Sequence, residues 1–321
     1  MVTSRYAELR APREFALGEE QLDINDDQVL VRVVVCGICK YDLNYFTGIL
    51  GAFPQRMGHE ATGIVEQVGR SVTELKPGDR VTGFFQPGTM RGFATYIVGY
   101  PQYVVKVPEH VPLEQAIVEP LKCVSTILRA ASPEFGDYVL VMGCGFMGLS
   151  VLAGLTGQGP EMIIAADIND DRLAMAADLG ASVTLNPRKC DFLAEVEKLT
   201  RGHGIDVAIE VVGKPEAVEL AAKTVRHGRA RYVLAGWHGI PATYNLRLWT
   251  HPGAIIHCAH PAYSLDQMDD LRRAVNGLAR GIFPMDRLIT HRFRLDEIQE
   301  AFELAERGGE GYIKGVILPW A

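Results

Sequence analysis

The chain has 321 residues, 48% of them hydrophobic and 22% charged, and a net charge of −7. That length supports about two domains with a core large enough to need no disulfides, and the balance excludes disorder and low complexity. No dense run of Lys and Arg, no bilayer-length apolar run and no basic-then-apolar leader in residues 1–15 occur; nucleic acid and membrane are therefore not expected as partners, and a cytoplasmic protein is expected.

Residues 1 to about 110 read mostly as strand. The β-branched run at residues 29–35 predicts a buried strand, and shorter apolar runs follow at 62–68, 80–85, 96–98 and 103–107. Lys76-Pro77-Gly78-Asp79 is a turn by composition. Strands at this spacing predict a barrel-like β domain. The character changes near Pro112. Residues 113–131 predict helix, with Pro120 as a break or a new first turn. Strand patterns at 138–142, 162–166, 206–211, 231–235 and 254–258 then alternate with helical ones at 147–155, 171–179, 191–200 and 214–226. Gly180 stands as a C′ glycine. This alternation predicts a doubly wound parallel sheet, an α/β fold. Amphipathic helices at 265–280 and 295–307 and a closing strand at 312–318 complete the chain. The domains are expected at 1–122 and 123–260, with 261–321 returning to the first.

Gly143-Cys144-Gly145-Phe146-Met147-Gly148 follows one of these strands and opens a helix. In a dinucleotide turn Gly143 permits the tight bend, Gly145 admits the pyrophosphate and Gly148 lets helix pack on strand. The helix start at Phe146 and Met147 offers amide N–H groups and positive dipole to the phosphates. Asp167, nineteen residues past Gly148, ends the next strand. That is the expected place of an acid that binds the adenosine ribose hydroxyls. An acid there repels a 2′-phosphate and favours NAD over NADP; Arg172 nearby pulls the other way.

The six cysteines are scattered and form no disulfide framework. Cys36 and Cys39 form a C-x-x-C with three readings: redox pair, half of a zinc knuckle, or one ligand beside a bystander thiol. Cys39, His59 and Glu60 are zinc ligand types, and three protein ligands with an open position make a catalytic zinc. Spacing alone does not distinguish this from a packed polar pair.

The segments Cys36-Gly37-Ile38-Cys39-Lys40-Tyr41-Asp42, Gly58-His59-Glu60-Ala61-Thr62-Gly63, Lys76-Pro77-Gly78-Asp79-Arg80-Val81, the glycine turn and Ala166-Asp167 occur in that order. The chain resembles, nearly end to end, the zinc-dependent medium-chain dehydrogenase/reductase superfamily. The resemblance implies a GroES-like catalytic domain beside a Rossmann domain, with Cys39 and His59 as zinc ligands. Glu119-Pro120-Leu121 matches the third-ligand place of the polyol dehydrogenase branch, so Glu119 is a ligand or near-ligand, with Glu60 a competing carboxylate. Asp42 orients His59, and Cys36 is a packed thiol. The four-cysteine lobe that holds a second, structural zinc in many relatives is absent between Phe84 and Gly92, so one zinc per chain is expected. Tyr41 and Asn44 replace the Ser or Thr and the His of the relatives' proton path; Tyr41 or water then carries the proton.

The implied reaction is reversible oxidation of a secondary alcohol to a ketone, with hydride passing to NAD. Polyols, sugar derivatives or cyclitols are the implied substrates. Tyr45, Phe46 and Phe53 are candidate pocket walls, and a homodimer or homotetramer paired through residues 254–258 is implied. A zinc-free enoyl or quinone reductase, a non-catalytic NAD-binding protein and a thiol redox protein are the alternatives.

Overall fold

Strand pairing organises the first hundred residues, as the short apolar runs predict. The computed structural model describes residues 1–309 and 311–321 and divides into two units, residues 1–122 with 268–321 and residues 123–267. The first unit begins with β1 (Val2–Ala11), β2 (Glu14–Leu22), β3 (Val29–Gly37), β4 (Gln55–Arg56), β5 (Glu60–Val68), β6 (Arg80–Gly83), β7 (Tyr96–Gly99) and β8 (Val104–Lys106). The second unit holds β9 (Tyr138–Met142), β10 (Met162–Ala166), β11 (Val183–Leu185), β12 (Val207–Glu210), β13 (Arg231–Leu234) and β14 (Ile255–Cys258). The chain then returns to the first unit with β15 (His291–Arg294) and β16 (Gly315–Leu318).

In the first unit β3 is central. Seven of its nine residues are buried, which is why its sequence is a continuous Val run rather than an alternating one. It pairs antiparallel with β5 along its whole length, with β7 at its start and with β16 at its end. The sheet order is β15-β16-β3-β5-β6-β8, and a separate three-stranded sheet runs β2-β1-β4. A helix, Lys40–Phe46, interrupts this strand-rich stretch. The sequence reading missed it because its signal is a cap: the Cys39 amide donates to Asp42 Oδ2 at 3.0 Å. The core gathers on an aromatic cluster. Phe302 lies 4.8 Å from Phe15, 5.3 Å from Phe46 and 5.6 Å from Phe93, centroid to centroid. Phe46 is wholly buried there, so it anchors the helix that follows Cys39 and is not the pocket wall expected for it.

In the second unit the six strands are all parallel, in the order β11-β10-β9-β12-β13-β14. The chain runs outward from β9 to β11, then crosses back to β12 and runs outward the other way. Right-handed crossovers put helices on both faces of such a sheet, with a switch point beside β9. The connecting helices include Phe146–Leu155, Asp170–Asp178, Phe192–Leu199 and Pro215–Ala222. Short elements escaped the sequence reading: β11 has three residues, β15 alternates half-buried and exposed positions, and the strand expected at 312–318 begins only at Gly315. Tyr312 instead closes a turn, its amide donating to the Gly309 carbonyl at 2.8 Å.

Phe302→Ala is expected to cost about 3–5 kcal/mol, because it removes the ring common to three aromatic contacts in a packed core. Urea unfolding checks this; a change under about 1 kcal/mol would contradict the central place given to Phe302.

Candidate active site

Two backbone junctions bring the ligand-type residues together. Cys39 leaves β3 and caps the helix Lys40–Phe46, while Gly58, with φ +91°, turns the chain so that His59 and Glu60 enter β5. Antiparallel pairing of β3 with β5 sets Gly37 opposite Glu60. Gly37 is required there: a Cβ on it would strike the Glu60 carboxylate. One ligand atom from each of Cys39, His59 and Glu60 lies within 4.8 Å of the others. Among the described residues this is the one grouping of three or more metal-ligand types found.

Asp42 ties the cluster's two backbones together. Its Oδ2 accepts from the Cys39 amide at 3.0 Å and its Oδ1 from the Gly58 amide at 3.4 Å. Its Oδ1 also lies 3.4 Å from His59 Nδ1, which leaves Nε2 as the nitrogen a metal could take. Burial lowers the basicity of His59, but Asp42 more than offsets this and holds the imidazole well above its ordinary pKa. Burial pushes the Cys39 thiol up. A thiol, an imidazole and a carboxylate that converge in this way are a donor set that fits a zinc ion. Cys36 is fully buried against the same junction, and burial drives its thiol pKa well up, as for a packed thiol.

The two carboxylates have separate fates. Glu60 is fully buried and paired with Lys314, whose Nζ lies 2.8 Å from Oε1 and 2.6 Å from Oε2. Burial by itself depresses the Lys314 ammonium, but Glu60 outweighs burial and holds it above the ordinary lysine range. Glu119 opens the helix Glu119–Ala131 and pairs with Lys122 one turn on, at 3.0 Å, both side chains being buried. Burial raises the Glu119 pKa, yet Lys122 and His59 more than reverse this and hold it low. Glu119 therefore lies close enough to feel His59 but outside the three-residue grouping. Sequence reasoning missed both lysines. A signal existed for each: Lys122 stands three residues after the expected ligand Glu119, and Lys314 is a lone charge beside an apolar closing strand.

Tyr41 stands over His59, ring centroids 6.0 Å apart and edge-on, and its hydroxyl is 3.3 Å from that of Tyr45. That hydrogen bond, with burial, raises the Tyr45 phenol to about 12. Tyr41 is 39% exposed, so its hydroxyl reaches solvent. Asn44, at the expected second relay place, is buried with its Nδ2 lacking a partner.

In the second unit the glycine turn has the geometry its spacing predicts. Gly143 takes φ +102° at the end of β9, and Gly145 is the N-cap of the helix Phe146–Leu155. A Cβ at Gly148 would collide with the Gly143 carbonyl, which explains the third glycine. Phe146 and Met147 form the first helical turn. Asp167 at the end of β10 accepts from the Cys144 amide at 2.6 Å and from the Asn169 amide at 2.9 Å. Each oxygen keeps a second lone pair for a ribose hydroxyl. The Arg172 guanidinium reaches to 4.0 Å from where a Gly145 Cβ would stand, beside the phosphate end of the turn.

Comparison with known proteins agrees with this architecture. Residues 25–109 match the alcohol dehydrogenase GroES-like domain and residues 147–260 the zinc-binding dehydrogenase domain. The sorbitol dehydrogenase of Bacillus subtilis is 28% identical over 92% of each chain. An L-threonine 3-dehydrogenase of Symbiobacterium thermophilum is 32% identical, again over 92% of each. A zinc-binding dehydrogenase of Sinorhizobium meliloti, solved with NADP, superposes with TM-score 0.88 at 23% identity, covering 99% of this chain and 100% of its own. The chain belongs to the zinc-dependent medium-chain alcohol and polyol dehydrogenases, oxidoreductases that work with zinc and a nicotinamide dinucleotide. Among the described residues no helix is long and apolar enough to cross a membrane.

The raised Cys39 and His59 pKa values fix the sign of a pH effect. Raised pKa values favour the protonated thiol and imidazolium, and zinc binding would displace those protons, so affinity would rise with pH. Chelator competition between about pH 6 and 8 is expected to show affinity climbing by up to ~100-fold per unit, the limit for two displaced protons. A flat profile would contradict the protonation assigned to the cluster.

Proposed function

We propose that this dehydrogenase reversibly oxidises a secondary alcohol of the polyol, sugar-derivative or cyclitol class, using NAD and one zinc ion held by Cys39, His59 and Glu60. The observation that carries the reading is the convergence of those three side chains within 4.8 Å, in a chain whose other unit carries a glycine turn and a strand-end acid. Polyol chemistry draws support from Glu119-Pro120-Leu121 and from the kinship with a sorbitol dehydrogenase. When bound, the zinc supplies a Lewis acid for the alcohol oxygen and NAD the hydride acceptor.

The chain's own residues do the rest. Asp42 fixes the His59 ring and tautomer. Lys314 holds Glu60 in place and offsets part of the rise that burial gives its pKa, while Lys122 holds Glu119, the nearby second carboxylate, ionised. Tyr41 relays the proton that the alcohol releases, receiving it at the hydroxyl oxygen while handing its own to water, which the exposed hydroxyl beside Tyr45 reaches. Gly143, Gly145 and Gly148 admit the pyrophosphate to the amides of Phe146 and Met147, and Asp167 accepts from the adenosine ribose. The preference for NAD follows from that acid, with Arg172 set toward the diphosphate. Residues 1–122 and 268–321 form the catalytic domain and 123–267 the cofactor domain. β14 is an edge strand of the parallel sheet, suited to pairing with a second copy in a homodimer or homotetramer. The cytoplasm suits its free thiols.

Elemental analysis of protein purified without chelator is expected to give one zinc per chain, lost in Cys39→Ala. Zinc-free protein that still binds NADPH would sink the metal assignment and turn the search to enones and quinones. NAD is expected to give the higher kcat/KM on a polyol substrate; a preference for NADP would refute the role given to Asp167. Tyr41→Phe is expected to lower kcat about 10-fold or more and to shift its pH profile, the loss typical of a proton-transfer group. An unchanged profile would return the proton path to water.

A further inference from the structure

A buried carboxylate and a histidine form a dyad in the second unit, apart from the metal-ligand cluster. Glu210 ends β12 and is completely buried. Its Oε1 accepts from the amides of Val212 and Gly213, at 2.6 and 2.7 Å, and its Oε2 lies 3.1 Å from Nε2 of His238. An ionised carboxylate only accepts, so Nε2 carries the proton and donates it. His238 Nδ1 then keeps a lone pair, and among the described residues that atom has no hydrogen-bond partner. The ring is about one quarter exposed, with 25% of its side chain open to solvent against 0% for Glu210. A histidine oriented by a buried acid, with its other nitrogen uncommitted and accessible, is arranged to bind something.

The fold says what lies there. The segment after Glu210 packs directly on the glycine turn: a Cβ at Gly143 would stand 2.7 Å from Val212 Cγ2, and one at Gly148 would stand 3.2 Å from Val211 Cγ2. The segment after β13 closes on the same place, where a Cβ at Gly236 would lie 3.0 Å from Glu210 Oε2 and one at Gly213 would lie 3.0 Å from the Trp237 amide nitrogen. No side chain fits between these backbones, so the dyad is held rigidly beside the turn. Ligands of such sheets lie across the carboxyl ends of the strands at the switch point. Asp167 marks the β10 side of β9 for the adenosine ribose. The other nucleotide must then extend over the opposite side, above β12 and β13, where His238 stands.

We infer that His238, aligned by Glu210, binds the nicotinamide half of the dinucleotide, its Nδ1 accepting a hydrogen bond from a hydroxyl of the nicotinamide ribose. This rests on reading the glycine turn as a dinucleotide site. Binding of NADH by fluorescence, and of ADP-ribose and ADP by calorimetry, separates the two ideas. ADP spans only the adenosine half, while ADP-ribose adds the second ribose without the nicotinamide. His238→Ala is expected to weaken NADH and ADP-ribose about tenfold, the size of one hydrogen bond, and to leave ADP unchanged. Glu210→Gln is expected to weaken NADH and to add little on top of His238→Ala, since both act through one contact. ADP bound normally with NADH unaffected by His238→Ala overturns the proposal alone. ADP weakened as much as NADH also overturns it, because the dyad would then only support the turn. Wild-type protein that binds none of the three overturns the dinucleotide reading and the proposal with it. His238 is partly exposed, so its replacement leaves the core intact should Glu210→Gln fold poorly.

Discussion

The buried pair between Glu60 and Lys314 is the interaction on which the cluster of Cys39, His59 and Glu60 depends. It joins residues 254 positions apart, and both side chains are almost wholly withdrawn from water. Ions withdrawn from water cost several kcal/mol each unless they are paired with good geometry. The register supplies that geometry. Gly37 sits between its partners, paired with Glu60 of β5 on one side and Val316 of β16 on the other. The chain must therefore return from the second unit to complete the first. Its last strand both closes the sheet and delivers the counter-ion. Truncation before β16 would leave an uncompensated carboxylate inside the core, beside Cys39 and His59.

The second unit solves a different problem with topology. A parallel sheet has all its strand carboxyl ends on one edge, and the reversal of strand order beside β9 opens a crevice there. The glycine turn, Asp167, Glu210 and His238 all stand at that edge, on β9, β10, β12 and the end of β13. None is near another in sequence except by the period of a strand-helix unit. Two acids flank the turn with opposite environments. Asp167 is partly exposed and receives amides at its rim, while Glu210 is buried and spends its oxygens on its own turn and on His238.

Much of this was legible in the sequence because the signals were local and periodic. The parallel-sheet strands, their helices and the glycine turn each carry their pattern within about ten residues. The ordered motifs around Cys39 and His59 pointed to side chains that the structure brings together with Glu60. What escaped was encoded by partners far away or by elements too short for a period. The helix after Cys39 is seven residues long and starts from a cap. β11 and β15 have three and four residues. Lys314 becomes meaningful only once β16 is placed against β3. Phe46 was misread as a pocket wall because its neighbours Phe15 and Phe302 lie at the two ends of the chain. The His238 dyad was invisible for the same reason, since its acid belongs to the preceding strand.

A charge count explains why the cluster needs two lysines. Asp42, Glu60 and Glu119 bring three carboxylates to one buried neighbourhood, and Lys122, Lys314 and a protonated His59 bring three cations. With Cys39 as the neutral thiol the metal-free cluster is balanced. A zinc ion held there would bring two positive charges and displace two protons, one from Cys39 and one from His59, so the buried charge would not change on binding. Without the lysines the carboxylates would hold protons of their own against burial. Zinc would then have to displace those as well, and its hold at neutral pH would weaken. Lys314 touches the proposed ligand Glu60 and Lys122 the neighbouring Glu119, and through those contacts the lysines set the charge balance of the cluster. This is also why a third carboxylate, Glu119, can stand beside the cluster without collapsing into it: its charge is already answered by Lys122.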